Sequence, residues 1–417
     1  MSELVFSGGN ANVAQVGRVT PGGSATNADV TTVTLTDHEG KVHAISYTSD
    51  ASPSDAETVA GLVAAAAVAK TGDADAWKDV TCADATTYMS ITADTAGNPF
   101  TASSAVSGTA TVADATSTSN AGPCIFSAAE NWVGNVAPVD GDSIVIPASV
   151  TTNIYGEDVT AAQYVGFTIE EGYSGNIGAM NKPLQIDLED DSTDYPLVSY
   201  GTGDIFLDVD NYSYIDIRDA GSADPSSGEY GFNLRGVLSS TSAGVIYVRC
   251  PRGRSVSLGG NPGETLEAES VTVWSGTVLF GDGVVDKAAA AFPLLTVEGG
   301  SVTLKSPCKT VNVKKGSFTR EGASAIATAL NVEGGVVYDN ATGTILLVNI
   351  YGAGRLDATR NVAGATYTAV EMWESAAFID PYKKITLTDG INLNKRGTKA
   401  PGLELGTDLK ITRAAVS

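Results

Sequence analysis

A short sequence phrase recurs through the second half of this 417-residue chain. Each copy has an apolar–polar–apolar triplet, two variable residues, a glycine, and a second short alternating stretch. The copies begin at Val271, Leu295, Val311, Leu330 and, more loosely, Val348, and an earlier copy, FTIEEGYSGN, begins at Phe167. From Val271 onward, successive copies start 24, 16, 19 and 18 residues apart.

A strand–turn–strand unit at this spacing is typical of one coil of a β-solenoid. The alternation gives each short strand one apolar face toward the core. Glycine adopts positive φ freely, so we expect the repeated glycines Gly276, Gly300, Gly316 and Gly335 to form corners. The sequence therefore predicts an all-β fold dominated by a single-stranded parallel β-helix that winds to the right.

The composition excludes several classes of partner. The formal net charge is −23 and only 18% of residues are charged, so the chain has no basic face for a phosphate backbone. No apolar run approaches the ~20 residues of a membrane span. The first residues, MSELVFSGGN, lack the basic and apolar regions of a signal peptide, so we expect synthesis in a cytoplasm. We therefore expect neither a nucleic-acid nor a membrane partner.

Four cysteines are spread along the chain without a CxxC pair, at Cys82, Cys124, Cys250 and Cys308. Such isolated cysteines are usually buried free thiols. We therefore expect no disulfide framework.

Composition shifts divide the chain into five parts. We expect a flexible N-terminal arm over 1–28, a small domain over 29–112, a polar linker over 113–124, the solenoid over 125–393, and a capping tail over 394–417. The arm is rich in Gly, Ser, Asn and Ala, which suggests that it orders only against a partner. Its apolar residues are the candidates for that attachment: Leu4, Phe6, Val13 and Val16.

The small domain has the pattern of an α+β sandwich. Two alternating segments, 30–37 and 41–50, flank the loop HEG and predict a hairpin. A helix follows, for which Ser54 and Glu57 form a capping box. Its apolar stripe consists of Val59, Leu62, Val63 and Ala66. Segments 87–94 and 100–106 predict two further strands around the turn Gly97-Asn98-Pro99.

This small domain resembles a module of tailed-phage virion proteins. There, a hairpin with Gly-Lys and Tyr-Thr leads to an Ala-Glu helix and then to a Thr-Ala…Pro-Phe segment. The matching positions here are Gly40-Lys41, Tyr47-Thr48, Ala56-Glu57, Ala60, Leu62, Thr92-Ala93, Gly97 and Pro99-Phe100.

The segment AENWVGNVAPVDGDSIVIP resembles the start of β-helical phage and surface proteins. The matching positions are Asn131-Trp132, Gly134, Pro138, Gly141-Asp142 and Ile146. We expect Trp132 to anchor the first coil and Asp140 and Asp142 to cap a turn. A Ca²⁺ role for these two aspartates is the alternative, although the EF-hand pattern is absent.

Together the two resemblances cover roughly a quarter of the chain and imply a virion structural protein, such as a head decoration protein or a spike. They imply a place on the virion surface, the major capsid protein or another virion protein as partner, and a homotrimer. They imply no catalytic residue, no cofactor and no metal.

The residues alone offer little chemistry. The two histidines, His38 and His43, both lie in the small domain, so a Ser-His-Asp triad within the solenoid is excluded. No GxSxG, HExxH, P-loop or strand-linked GxGxxG motif occurs.

Paired carboxylates are the remaining enzymatic option, since glycoside hydrolysis needs only two at the right separation. The candidates are Asp187, Glu189, Asp190, Asp191, Asp194, Asp204, Asp208 and Asp210, with Tyr195, Tyr212 and Tyr214 as possible sugar-stacking rings. Asp208 and Asp210 should share one face of a strand. An acidic solvated face is the simpler interpretation, and we expect no enzyme.

Three functions remain in order of preference. The first is a non-enzymatic phage capsid decoration or spike protein that attaches through its N-terminal part. The second is a tail-fibre protein that adsorbs to, or cleaves, host surface glycans. The third is a bacterial surface adhesin, which the missing secretion signal disfavours.

Overall fold

A computed structural model describes residues 3–23, 26–50, 54–72, 75–189, 196–238, 244–260, 264–286, 291–373, 375–394 and 402–405. It is nearly all β, with 49% strand and 7% helix, which confirms the predicted fold class. A parallel solenoid of about 10 turns carries a small domain of antiparallel sheets at its N-terminal end.

The small domain consists of short strands around one long helix and one short helix. After β1 (Glu3–Val5), the elements of this part are β2 (Val16–Gly23), β3 (Val30–Thr36), β4 (Val42–Thr48), α1 (Asp55–Thr71), α2 (Asp75–Lys78), β5 (Val80–Asp84), β6 (Met89–Ala93), β7 (Thr101–Val106) and β8 (Ala110–Thr118). They form two antiparallel sheets of order β5-β6-β2-β8 and β4-β3-β7. Helix α1 covers a core that includes Val33, Leu62, Trp77 and Ile91.

The predicted hairpin is confirmed, since β3 and β4 pair antiparallel from Val30↔Thr48 to Thr36↔Val42. The predicted strands around Gly97 also exist, but they do not pair with each other. Strand β6 joins β2 and β5, whereas β7 joins β3. The turn therefore carries the chain from one sheet to the other.

Helix α1 begins at the predicted N-cap, where the Ser54 side chain accepts a hydrogen bond from the Glu57 backbone N–H at 3.2 Å. The other half of the capping box is replaced, because the Glu57 carboxylate accepts a hydrogen bond from the Tyr47 hydroxyl. That bond to Glu57 raises the pKa of Tyr47 to about 12. The Tyr47 ring lies directly over Gly61, where an added Cβ would sit 2.0 Å from the ring.

We expect Gly61→Ala to destabilise the small domain by about 1–2 kcal/mol, because the overpacking cost exceeds the roughly 1 kcal/mol gained in helix propensity. In a Tyr47→Ala background, the same substitution should instead stabilise the domain by about 1 kcal/mol, since the ring is gone. Urea unfolding of the four proteins of this cycle measures both values. Stabilisation by Gly61→Ala in the native background would contradict the packing argument.

The solenoid continues from residue 143. Its strands are β9 (Ser143–Ile146), β10 (Asp158–Tyr164), β11 (Gly166–Ile169), β12 (Leu184–Leu188), β13 (Pro196–Ser199), β14 (Ile205–Asp210), β15 (Tyr214–Ile217), β16 (Phe232–Arg235), β17 (Val245–Arg249), β18 (Ser255–Leu258), β19 (Leu266–Glu267), β20 (Ser270–Ser275), β21 (Thr277–Phe280), β22 (Val284–Val285), β23 (Phe292–Val297), β24 (Ser301–Leu304), β25 (Cys308–Val313), β26 (Ser317–Arg320), β27 (Ile326–Val332), β28 (Val336–Asp339), β29 (Ile345–Ile350), β30 (Arg355–Asp357), β31 (Ala365–Met372), β32 (Ala377–Asp380), β33 (Ile385–Leu387), β34 (Ile391–Leu393) and β35 (Gly402–Leu405). Short 3₁₀ turns occupy Ala129–Asn131 and Pro225–Ser227.

These strands form two long parallel sheets that share one core. The first has the order β1-β9-β11-β13-β15-β17-β20-β23-β25-β27-β29-β31-β33, and β34 also pairs with β31. The second has the order β10-β12-β14-β16-β18-β21-β24-β26-β28-β30-β32-β35. Strands β19 and β22 form a small third sheet. Each coil therefore contributes one strand to each long sheet.

Each copy of the repeated sequence phrase corresponds to one coil of the solenoid. The first residues of these copies occupy one ladder of the first sheet, in the order Val271, Leu295, Val311, Leu330 and Val348. Phe167 lies in the same ladder, between Ile144 and Leu197. These ladder residues are fully buried, so every copy places the same apolar position over the preceding one.

The predicted corner glycines lie between the two sheets. Positive φ values of 95°, 75° and 76° occur at Gly276, Gly300 and Gly316, whereas Gly335 has none. A Cβ on Gly300 would lie 2.5 Å from the Gly276 carbonyl oxygen, and one on Gly316 would lie 2.3 Å from that of Gly300. Glycine is thus required here both by conformation and by the close approach of successive coils.

Three predicted boundaries are wrong. The arm is not flexible, because β1 pairs in parallel with β9 and β2 is central to a sheet of the small domain. The first half of the predicted linker belongs to strand β8, which pairs along β2 and whose exposed Thr and Ala residues concealed it. The solenoid does not end at 393, because β35 pairs with β32. The rest of the predicted tail lies outside the described residues.

Candidate attachment site at the N-terminal end of the solenoid

The segment AENWVGNVAPVDGDSIVIP, which precedes and includes β9, anchors the first coil through an aromatic cluster. Trp132 is 1% exposed and meets Phe6 and Phe126 edge-on, with ring centroids 5.2 and 4.9 Å apart. Its indole Nε1–H donates a hydrogen bond to the Phe126 carbonyl at 2.7 Å. The structure therefore places Trp132 in the position predicted for it, at the end of the solenoid core.

The same segment covers the outer edge of β1. The backbone N–H of Val133 donates to the Val5 carbonyl at 3.0 Å, and Phe6 forms an antiparallel bridge with Trp132. This pairing blunts an edge that would otherwise offer unpaired backbone groups. The buried Asp142 carboxylate accepts a hydrogen bond from the Val139 N–H at 3.0 Å, and Gly141 before it has a φ of 79°. Asp142 therefore caps a turn, as predicted.

Three valines of the loop between Trp132 and β9 are exposed to solvent. Val133, Val136 and Val139 are 62%, 53% and 56% exposed. Three exposed valines within seven residues give this loop an apolar surface, on a chain whose formal net charge is −23. We call these three residues the valine cap.

The structure separates the four predicted attachment residues. Leu4 and Phe6 are buried in the solenoid core of their own chain, so their prediction as partner contacts is wrong. Val16 is half-buried in β2, and Val13 is 39% exposed while its N–H donates to the Ala121 carbonyl. The sequence ELVF has three consecutive apolar residues, which do not by themselves distinguish a first solenoid strand from an exposed attachment segment.

The small domain is fixed against the first coils rather than tethered to them. The His38 ring meets the Tyr155 ring at 5.1 Å, and the Tyr155 hydroxyl donates to Asn98 Oδ1 at 2.5 Å. Burial raises the pKa of Tyr155, which keeps this donor protonated. A Cβ on Gly40 would lie only 2.7 Å from the Asn181 carbonyl oxygen, so the hairpin loop lies in direct contact with the solenoid.

A cleft of about 380 Å³ lies where the hairpin loop meets the solenoid. Its walls include His38, Tyr155, Asp204, Glu229 and Tyr230. Burial, followed by the nearby Glu229 charge, raises the pKa of Asp204. Of the predicted carboxylates in the described part of the chain, Asp204 alone lines this cleft, and Glu229 was not predicted.

Other predicted carboxylates bond one coil to the next. Asp187 accepts hydrogen bonds from Gln163 Nε2 at 3.0 Å and from Asn211 Nδ2 at 2.7 Å. Asp208 pairs with Arg235 Nε at 2.8 Å. Asp210 accepts from the Val237 N–H at 2.9 Å, and its burial raises its pKa.

Asp208 and Asp210 are both half-buried and share one face of β14, as predicted. Glu189 is half-buried next to β12. Asp190, Asp191, Asp194 and Tyr195 lie outside the described residues.

The two described tyrosine candidates differ. Tyr212 is fully buried and its hydroxyl donates to the Glu267 carbonyl at 2.5 Å, so it offers no stacking surface. Tyr214 lies on the outer face of β15 and meets Tyr247 edge-on at 6.1 Å.

All four cysteines are free thiols. Cys250 and Cys308 are buried, as predicted, whereas Cys82 and Cys124 are only half-buried. Burial raises the pKa of Cys82, Cys250 and Cys308 to about 12, so these thiols stay protonated.

Within the described ranges, no group of three or more His, Cys, Asp or Glu residues could hold a metal ion. No helix in that part of the chain has the length and apolarity needed to cross a membrane.

No family model matches the sequence, and no curated protein or solved structure matches it either.

Proposed function

We propose that this chain is a non-enzymatic structural protein of a tailed-phage virion, a capsid decoration or spike protein that projects its solenoid from the virion surface. The observation that carries the proposal is the contrast between the two parts of the molecule. The N-terminal end has a docked small domain and the exposed valine cap, whereas the remaining coils form one rod with a continuous core. Such an end is suited to attachment and such a rod to display.

The use of polar side chains supports a structural role. Asn331 donates to Asn312 and Asn349 donates to Asn331, each at 2.8 Å, which forms a ladder along the outer face of the first sheet. Asp187 and Asp208 likewise bond neighbouring coils. These groups stabilise a stiff rod.

The proposed partners are the major capsid protein or another virion protein, and further copies of this chain. We propose a trimer because of the resemblance to phage spikes. The outer positions Thr272, Thr296 and Asn312 are polar, so this row of the first sheet adds no further argument for a trimer. Light scattering of the purified chain at micromolar concentration decides between trimer and monomer.

If the N-terminal end makes the attachment, the triple variant Val133→Ser/Val136→Ser/Val139→Ser should bind at least tenfold more weakly to virion shells that lack this protein. The reason is that the substitutions remove exposed apolar area that would be buried on binding. A tenfold loss of affinity corresponds to about 1.4 kcal/mol of binding free energy. The experiment uses full-length chains, since truncation near residue 120 would remove β1 from the solenoid. Co-sedimentation with purified shells measures the affinity.

The matched control is Val362→Ser, which changes a valine that is 84% exposed on a distal coil. A second variant, Val42→Ser/Val68→Ser, tests the exposed face of the small domain. Loss of binding in the Val362 variant would reverse the proposed polarity. Absence of shell binding by the unmodified chain would contradict the proposal and favour the tail-fibre function, for which a handful of copies per particle is expected rather than hundreds.

A further inference from the structure

Four long side chains follow one another along the outside of the first sheet. Four successive coils are aligned by one ladder of buried, paired residues: Ser199, Ile217, Val248 and Val273. The next residues in those coils are Tyr200, Arg218, Arg249 and Trp274. The register shifts after Val248, so that Arg249 pairs with Ser275 rather than Trp274, but the two cations still lie between the two aromatic rings. The row spans three strand spacings, or about 14 Å.

Contacts within this row confirm the order. The Arg218 guanidinium lies 5.1 Å from the Tyr200 ring and donates to its hydroxyl at 2.5 Å. The Arg249 guanidinium lies 5.2 Å from the Tyr247 ring and 5.6 Å from the Trp274 ring. Cation–π contacts of this kind hold an arginine in place while its edge stays available for hydrogen bonds.

A buried carboxylate beneath the row fixes both arginines. Asp216 is 2% exposed and lies 2.8 Å from Arg218 Nε and 3.5 Å from Arg249 Nε. Its Oδ1 accepts no hydrogen bond in the structure. That oxygen is buried and faces Arg249, so Asp216 positions the arginines from beneath and does not itself contact a ligand.

The row continues into a shallow groove of about 470 Å³ at the adjacent corner. The groove starts at Ser275, directly after Trp274, and its lining supplies one further cation, hydroxyls and bare backbone: Arg252, Gly253, Ser275, Gly276, Thr277, Gly300 and Ser301. Trp274 is 50% exposed and Arg249 is 40% exposed, so both are accessible to a ligand from solvent.

The chemistry of this surface selects its ligand. Exposed aromatic faces stack on flat apolar faces, the groove hydroxyls match a polyhydroxylated chain, and arginine edges match carboxylate or sulfate groups. A nucleic acid would bring one phosphate per nucleotide toward a chain of net charge −23 that has few cations here, so it is disfavoured.

We propose that Tyr200, Arg218, Arg249 and Trp274 form a binding site for an acidic glycan. Arg249 and Arg218 take the anionic groups, Trp274 stacks on a sugar ring, and the groove accepts the neighbouring sugar. The rest of the acidic surface repels such a ligand at long range, so binding depends on contact with this cluster. The site is independent of the attachment end, and the isolated chain suffices to test it.

Isothermal titration of the full-length chain with an oligogalacturonate and with a heparin oligosaccharide distinguishes carboxylate from sulfate as the anion. We expect saturable binding of at least one of them, and weaker or no binding of a neutral dextran oligosaccharide. Arg249→Gln and Trp274→Thr should each weaken binding about tenfold, since each removes a charge-assisted hydrogen-bond donor or a stacking ring.

Two matched variants serve as controls. Arg360→Gln changes an exposed arginine that lies 6.0 Å from the Tyr338 ring, and Trp373→Thr changes a tryptophan stacked on Tyr351 at 4.2 Å, both outside the proposed site. They should stay within twofold of the native affinity, as should the valine-cap variant.

Equal loss in the Arg360 and Arg249 variants would reduce the binding to bulk charge and overturn the proposal. So would neutral dextran binding as tight as that of the acidic chains, preferential binding of a single-stranded oligonucleotide, or no binding of either acidic glycan at millimolar concentration. Unchanged far-UV circular dichroism in each variant separates loss of the site from loss of the fold.

Discussion

Replacing Asp339 by leucine is expected to lower the free energy of unfolding by about 3–5 kcal/mol, because it leaves a fully buried arginine without its counter-charge. Arg320 and Asp339 are both 0% exposed. They occupy one ladder of the second sheet, directly after Leu304. Leu304 is apolar at this ladder position, whereas the next two coils place a charge pair there.

The pair is fully bonded. Arg320 donates from Nε and Nη2 to the two Asp339 oxygens at 2.9 and 2.8 Å, and from Nη1 to the carbonyls of Ser324 and Gly343 at 2.6 and 2.7 Å. The Tyr367 hydroxyl also donates to Asp339. Burial, followed by the Asp339 charge, raises the pKa of Tyr367, so this donor is retained at any ordinary pH.

The compensating variant is Arg320→Met/Asp339→Leu. It removes both charges, so it should recover more than half of the loss caused by Asp339→Leu alone. Recovery should stay incomplete, because the Ser324 and Gly343 carbonyls and the Tyr367 hydroxyl lose their partners. Urea unfolding monitored by circular dichroism gives the three free energies. A loss below about 1 kcal/mol for Asp339→Leu would contradict the argument.

The sequence predicted the solenoid because parallel coils place residues of the same kind directly over one another. The apolar position that begins each phrase lies in one ladder, so a structural repeat leaves a readable sequence repeat. The buried charge pair left a signal in the same alignment. Arg320 ends the second stretch of one copy and Asp339 ends that of the next, in the place where Leu304 ends the copy before them. Complementary charges at one repeat position indicate a buried pair.

Other features left no such signal. Strand β1 is three residues long and pairs with a segment about 140 residues later in the sequence, so no local pattern could specify its partner. The exposed valines of the cap differ from core valines only by their tertiary environment. The row from Tyr200 to Trp274 combines residues from four coils, and only the observed register brings them together.

These contrasts bear on the proposed function. Repeats predict the rod, which is shared by proteins with many roles, whereas specificity resides in the positions that depart from the repeat. Here these are the valine cap at one end and the arginine–aromatic row on one face. The two proposals can therefore fail separately, since attachment and glycan binding use different parts of the surface.

Gly316→Ala is expected to destabilise the solenoid by about 2–5 kcal/mol, although it adds a single methyl group. Gly316 has a φ of 76°, which costs an alanine about 1–2 kcal/mol. The new Cβ would also lie 2.3 Å from the Gly300 carbonyl oxygen, so the backbone of one coil must move away from the next. Such overpacking adds about 1–3 kcal/mol.

Gly322→Ala separates these two contributions. Gly322 has a similar φ of 64°, but no atom lies within 4 Å of the position its Cβ would take. It should therefore lose only the conformational part, about 1–2 kcal/mol. Urea unfolding of both variants gives the difference, which is the contribution of close approach between neighbouring coils. Equal losses in the two variants would mean that the corner glycines are retained for their φ alone, and that the spacing of the coils adjusts freely around a methyl group.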